Sequence, residues 1–272
     1  MKNRKNYCKK VALIHYHPMQ RRINLGVHPP RQTCMIAPAD RHGFTLVELL
    51  VVIAIIAVLT SVGLFGYRSA MNKAKQVECM GNMRQIGIAV VSFAQDHNGS
   101  YPQASHLLDA SNQGQSWIHT LAPYLSGSDD VKICPVDPKG QQRLDAGGTS
   151  YILNSFLTVE KTGPFGEPLP GSYTKMIQVP RPEKTPLAFV VNFESGVGQN
   201  VDHTHSDSWT GWGSVVKDIQ VDAFLTGSAN NNRTKGSSTY LFADGHVENL
   251  AAATVHGWIT SGYNFADPAA TR

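Results

Sequence analysis

From Leu49 to Tyr67 the chain runs nineteen residues without a charge, LLVVIAIIAVLTSVGLFGY, bounded by Glu48 and Arg68. At about 1.5 Å of rise per residue, a helix of that length just covers the roughly 30 Å of a bilayer's hydrocarbon. Nine of the 24 Lys and Arg residues fall in positions 1–43, where Asp40 is the lone acid, so that stretch carries +8. The remaining 15 cationic and 19 acidic residues leave −4 for the rest. Such a bias keeps the N-terminal side cytoplasmic and sends the body outward. The basic balance belongs to the opening stretch, so nothing on the body calls for a nucleic-acid partner.

An ordinary secretory signal, cut near Ser61-Val62-Gly63, and a simple membrane anchor both fit this composition. Glu48 separates them, because a carboxylate in a membrane helix costs about 2 to 3.5 kcal/mol unless it is interfacial or paired. An anchor has no use for it. The residues around it, RHG followed by FTLVELL at positions 41–50, resemble the type IV prepilin signal. The resemblance implies a prepilin peptidase that cuts between Gly43 and Phe44 and N-methylates Phe44. It further implies that Glu48, fifth in the mature chain, pairs with the cationic Phe44 amine of a neighbouring subunit, a pairing that makes a buried charge tolerable. Leaders in this family are short and this one has 43 residues. Met35 as the start gives the nine-residue leader MIAPADRHG, and Met19 is another start, so residues 1–34 are read as a start-site artefact in which Cys8 and Cys34 have no role. The stretch CKKVALIHYH is too short for a second span.

Past Arg68 the chain keeps a helical period. One apolar row holds Cys79, Met83, Ile86, Val90 and Phe93 or Ala94, and an adjacent row holds Val77, Met80, Ile88 and Val91, which together predict a broad core-facing stripe. Asn98-Gly99 supplies a C-terminal cap and Pro102 prevents resumption, so the helix should stop near His97. Phe44 to His97 then make one helix of 54 residues with bend points at Gly63 and Gly66. Beyond Pro102, SWIHTLAPYLS reads as a short helix capped by Ser116, packing Trp117, Leu121, Tyr124 and Leu125, while SYILNSFL and PLAFVVNF read as strands. In STYLFADGHVENL, Asp244-Gly245 signals a type I′ turn between Thr239–Ala243 and His246–Leu250. Residues 196–235 form a loop-rich interval, the usual place for variable function.

The segments CMGNMRQIGIA, ICPVDP, SYILN and YLFADGHVE resemble the pseudopilin-like proteins of the Planctomycetes and Verrucomicrobia type, whose C-terminal signature is His-x9-Asp-Gly. Asp244-Gly245 match it, but Thr234 stands where the signature has His. Cys79 and Cys134 would share an oxidising compartment and are a disulfide candidate, against the alternative of two separate buried thiols. Asp202, His203, His205 and Asp207 cluster in VDHTHSD, yet no third ligand at defined spacing accompanies them, and a solvated loop is the preferred reading over a metal site. The resemblance extends to calcium, which some major pseudopilins bind in a C-terminal loop, at Asp202, Asp207 or Asp244. Its six to eight oxygen ligands cannot be assembled from spacing. Asp244 is already explained as a turn residue. No G-x-S-x-G elbow and no phosphate-cradling loop is present, so no enzyme is expected. Trp209 and Trp212 are aromatic enough to stack on sugars, though loop aromatics more often pack locally.

These readings imply an α+β, pilin-like fold: a long N-terminal helix, membrane-spanning in its first half, packed on a small antiparallel sheet head. The expected divisions are a leader at 1–43, a spanning or filament-core helix at 44–68, its amphipathic continuation at 69–97 and an extracytoplasmic head at 98–272. The resemblance implies a structural pseudopilin of a type II secretion-like system. The alternatives are a type IV pilus pilin, or a surface-displayed binding protein that uses the same export signal. Its partners would be the prepilin peptidase, like and unlike pilin subunits in a polymer, and an inner-membrane assembly platform. The chain would cross the inner membrane once, with its head in the periplasm until assembly into a filament. No cofactor and no metal is expected.

Overall fold

The computed structural model describes residues 43–104, 116–125, 127, 129–165, 167, 169–225, 227 and 229–271. The expected leader, with Met19, Met35, Cys8 and Cys34, lies outside the described residues except for Gly43. The chain divides into two compact units, Met1–Val52 and Ile53–Arg272. What is described of the first is Gly43 to Val52, the start of helix α1 (Leu46–Asp96).

Helix α1 passes through Gly63 and Gly66 without interruption. It ends where the local chemistry demands, since Asn98 takes φ 55° and Gly99 φ 76°, a left-handed conformation that Asn and Gly enter most readily. The Gly99 N–H then reaches back to the Ala94 carbonyl at 2.8 Å, the six-to-one bond of a Schellman cap.

The second unit is built around a four-stranded antiparallel sheet of β1 (Tyr151–Leu153), β2 (Pro186–Val190), β3 (Ser237–Phe242) and β4 (Val247–Ala251), in that spatial order. Around it lie α2 (Trp117–Thr120), α3 (Gly140–Asp145), α4 (Ser155–Thr158), α5 (Trp212–Asp218) and α6 (Ala252–Thr260). Side chains alternate between the two faces of a strand, and the alternation here separates two cores. Tyr151, Leu153, Ala188, Val190 and Leu241 join Cys79, Met83, Ile86 and Val90 of α1. Ile152, Phe189, Tyr240 and Phe242 face the other way, onto Val215, Val255 and Phe265. Helix α1 lies very close to the sheet at Gly87, where a Cβ would sit 2.9 Å from Leu241 Cδ1.

The structure narrows the expected helical stripe. Cys79, Met83, Ile86, Val90, Phe93 and Ala94 are buried, but Val77, Ile88 and Val91 of the adjacent row are exposed. The sheet covers only one side of the helix, and Gln76, Gly87 and Ala89 complete the covered face. SYILNSFL is a strand only through Leu153. Asn154 Oδ1 then accepts from the Phe156 N–H at 3.1 Å, capping α4 and ending β1. Ser116 caps α2 as its position suggested, with Trp117, Leu121 and Leu125 buried behind it. The hairpin between β3 and β4 is not type I′. Of its turn residues only Gly245 has positive φ, at 91°, and Gly245 N–H bonds Phe242 O while Phe242 N–H bonds His246 O. That pattern is a three-residue loop, a type I turn closed by a left-handed glycine.

Two isoleucines two positions apart test the covered face. Ile86→Ala should lower the unfolding free energy by about 2 to 5 kcal/mol, whereas Ile88→Ala should change it by less than about 0.5 kcal/mol, read from denaturant titration.

Candidate functional site

Gly43, Phe44 and Thr45 precede α1 in neither helix nor strand, and Phe44 is 83% exposed. The bond expected to be cut thus joins two exposed residues. Thr45 holds the N-cap position of α1 and forms a reciprocal box with Glu48. The Thr45 N–H and hydroxyl donate to Glu48 Oε2 at 2.9 and 2.8 Å, and the Glu48 N–H donates to Thr45 Oγ1 at 3.2 Å. The sequence T-L-V-E is thus a capping box, a carboxylate that closes the amide end of the helix and sits at the favourable end of its dipole. Glu48 was expected to find its partner only in a neighbouring subunit; it already has one three residues away. The signal that reveals Thr45 was legible, a Thr three positions before Glu at the head of an apolar run.

Beyond the box, the apolar run of α1 is uncovered. Leu49, Leu50, Ile53, Ile55, Ile56, Val58 and Leu59 are all more than half exposed, and none of the most apolar window is buried within the chain. A helix apolar on every side is stable only inside lipid or among other helices. By length and composition α1 is the one helix among the described residues able to cross a membrane.

The Prokaryotic N-terminal methylation motif matches this chain over residues 38–64, the same segment that holds Gly43, Phe44, the capping box and the start of the apolar run. Prepilin peptidase-dependent protein D of Escherichia coli (strain K12) is 37% identical over 115 residues, an alignment that covers 42% of this chain and 71% of that protein. The chain belongs to the type IV pilin-like family. No solved structure matches it.

In this pilin-like protein, Cys79 of α1 and Cys134 are fully buried, with Cys134 Sγ donating to Cys79 Sγ at 3.4 Å. The structure holds them as neighbouring thiols. Burial and the adjoining Cys79 push the Cys134 thiol well above its ordinary pKa, and burial does the same to Tyr151, whose hydroxyl donates to Cys79 Sγ at 3.4 Å.

The VDHTHSD cluster brings the His203 and His205 rings to 5.3 Å of each other but sends its acids to different partners. His203 Nδ1 donates to Asp202 Oδ1 at 2.6 Å, and Ser116 Oγ donates to Asp202 Oδ2 at 2.6 Å. His205 lies instead beside Asp218, and Asp207 beside Lys161. Among the described residues no three His, Cys, Asp or Glu side chains are placed to hold a metal ion. The tryptophans are not displayed for stacking. Trp209 packs on Phe189 and Phe265 and donates its Nε1–H to Asp218 Oδ2 at 2.7 Å, while Trp212 meets His256 edge-on and donates to the Asn232 carbonyl. Asp244 pairs with His246 across its own turn at 2.6 Å.

Residues that no motif announced hold the loops in place. Arg143 is fully buried, paired to Asp137 at 2.7 Å, and donates to the carbonyls of Gly196 and Asn192. Asn154 satisfies four partners at once, donating to Pro186 O and Ala266 O and accepting from Phe156 N–H and Ser206 Oγ. Replacing Thr45 by Val removes the box while keeping the side chain's shape. The first-turn amides of α1 should then exchange roughly fivefold faster, the effect of losing one cap, as hydrogen exchange measures.

Proposed function

We propose that this pilin-like chain is a pseudopilin, a structural and non-catalytic subunit of a type II secretion-like filament. A prepilin peptidase cuts it between Gly43 and Phe44 and N-methylates Phe44. The observation that carries this reading is the order of parts at the head of α1: an exposed Gly-Phe bond, a capping box, and an apolar helix that nothing among the described residues covers. The matched relative bears in its name a dependence on the same peptidase. The spanning part is residues 44–68, the amphipathic continuation 69–97 and the head 98–272, with the head outside the inner membrane.

Polymerisation exchanges lipid for like and unlike subunits around the apolar run, driven by an inner-membrane assembly platform. Glu48 then sets register by taking the methylated Phe44 amine of a neighbour. The capping box supports this role, since Glu48 is held at the helix start by Thr45 with an oxygen, Oε1, left for the amine. Cys79 and Cys134 form a disulfide. Their sulfurs need to close from 3.4 Å to about 2.05 Å, and a disulfide-bearing thiol oxidoreductase accepts the two electrons and two protons released. A pilus pilin shares every step up to the filament and differs in what the filament does.

The mass of the mature protein tests processing and oxidation together. We expect a chain that begins at Phe44, one methyl group heavier and two hydrogens lighter than the unmodified sequence; an N-terminus at Leu64 would instead mean ordinary secretion. In a strain that lacks the gene, protein secretion should fail while twitching persists, and Glu48→Val should restore cleavage but not secretion. Lost twitching with intact secretion would assign the chain to a pilus.

A further inference from the structure

The head holds an open pocket of about 410 Å³, within the range of roughly 300 to 1,000 Å³ usual for small-molecule sites. Ile152 of β1 and Val201 give it an apolar floor, and Ser195, Asn200, His205 and Asp218 give it a polar rim. The walls are held from behind. Arg143 ties down the carbonyls of Asn192 and Gly196, and the Val197 carbonyl rests so close to Gly148 that any side chain there would collide with it. His203 is fixed by Asp202, and Asp218 Oδ2 accepts both the Trp209 indole N–H and the His205 backbone N–H at 2.7 Å. Polar atoms anchored in this way lose little freedom when a ligand arrives.

The charge inventory excludes most ligand classes. No Lys or Arg lines the pocket, and the Asp218 carboxylate on its rim, with Asp202 behind His203, opposes an anion. Asp218 is the one carboxylate among the lining residues and is already engaged by two N–H donors on one oxygen, with the His205 ring 3.5 Å from the other, so a cation would find no second acidic side chain on the rim. A metal ion lacks a set of three ligands among the described residues. What the rim does offer is hydrogen-bonding capacity of both signs. Neither the Asn200 amide nor the Ser195 hydroxyl has a protein partner among the described residues, and Asp218 Oδ1 retains accepting capacity. A neutral ring that carries several hydroxyls, each donor and acceptor, with an apolar C–H face for Ile152 and Val201, matches this arrangement.

We propose that this pocket binds a neutral saccharide ring. The site lies in the head, and none of its lining residues belongs to α1. Trp209, bonded to Asp218, is its built-in reporter.

The test uses the full chain in dodecylphosphocholine micelles, a detergent without a sugar head, with its four tryptophans labelled by nitrogen-15. Titration with maltose, cellobiose and di-N-acetylchitobiose should move the Trp209 indole resonance saturably, with a midpoint on the order of 1 mM for at least one of them. Trp212 and Trp258 should stay in place, and digalacturonate and spermidine should have no effect. Asn200→Ala should weaken the response about tenfold while leaving the four unliganded resonances unmoved, which shows that the head is still folded. A Trp209 signal indifferent to every neutral sugar at about 50 mM, displaced instead by the acid or the polyamine, or unchanged in its response by Asn200→Ala, overturns the proposal. Co-sedimentation with insoluble cellulose or chitin identifies the source as a polysaccharide end; a solution shift without co-sedimentation identifies a free sugar.

Discussion

The head depends on one helical row, Cys79, Met83, Ile86 and Val90, lying against the inner face of the sheet. Gly87 lets the backbone of α1 come close enough for Leu241 to fill the space that a side chain would take. With that face covered by α1 and the other by α5, α6 and Phe265, β2 is buried at every position, and β1 likewise. A three-residue strand such as β1 has little stability of its own. It persists because each of its side chains has a core to enter, Tyr151 and Leu153 on one side and Ile152 on the other.

Much of this was legible wherever the chemistry is local. The Asn98-Gly99 stop and the Ser116 cap depend on side chains within a few residues of the backbone they satisfy, and short-range patterns report them faithfully. The buried row of α1 was legible for a related reason, since a period of 3.6 survives whatever packs on it. Which side of an apolar helix will be covered is set by the sheet, and so Val77, Ile88 and Val91 read as core although they face outward. Tyr151 to Leu157 misled in the opposite way. Apolar residues lie on both sides of Asn154-Ser155 and read as one strand, but Asn154 ends it by accepting from the Phe156 N–H, an arrangement stabilised by Pro186 and Ala266 from distant parts of the chain.

The candidate sites divide along the same line. Gly43, Phe44 and Glu48 are a contiguous signal, while Thr45 shows how a residue within it can carry a second, purely structural job. The pocket of the head has no such signature, because Ile152, Asn200, His205 and Asp218 come from separate segments, and the buried Arg143–Asp137 pair that holds the Asn192 and Gly196 carbonyls beside it is equally remote in sequence. That pair is a poor source of net stability once desolvation is counted, and its value here is positional. The VDHTHSD cluster, which suggests convergence on a metal, is instead divided between a buried support, Asp202 with His203, and an exposed rim, His205.

Helix α1 is closed at one end by Thr45 and Glu48 and at the other by Asn98 and Gly99, all residues next to the groups they satisfy. The signals that set its ends therefore lie within its own termini. A rod finished in this way can be moved from one solvent to another as a preassembled part, carrying its backbone hydrogen bonds with it. Such a transfer then exchanges the neighbours of the side-chain surface, while the caps keep the terminal amides and carbonyls satisfied.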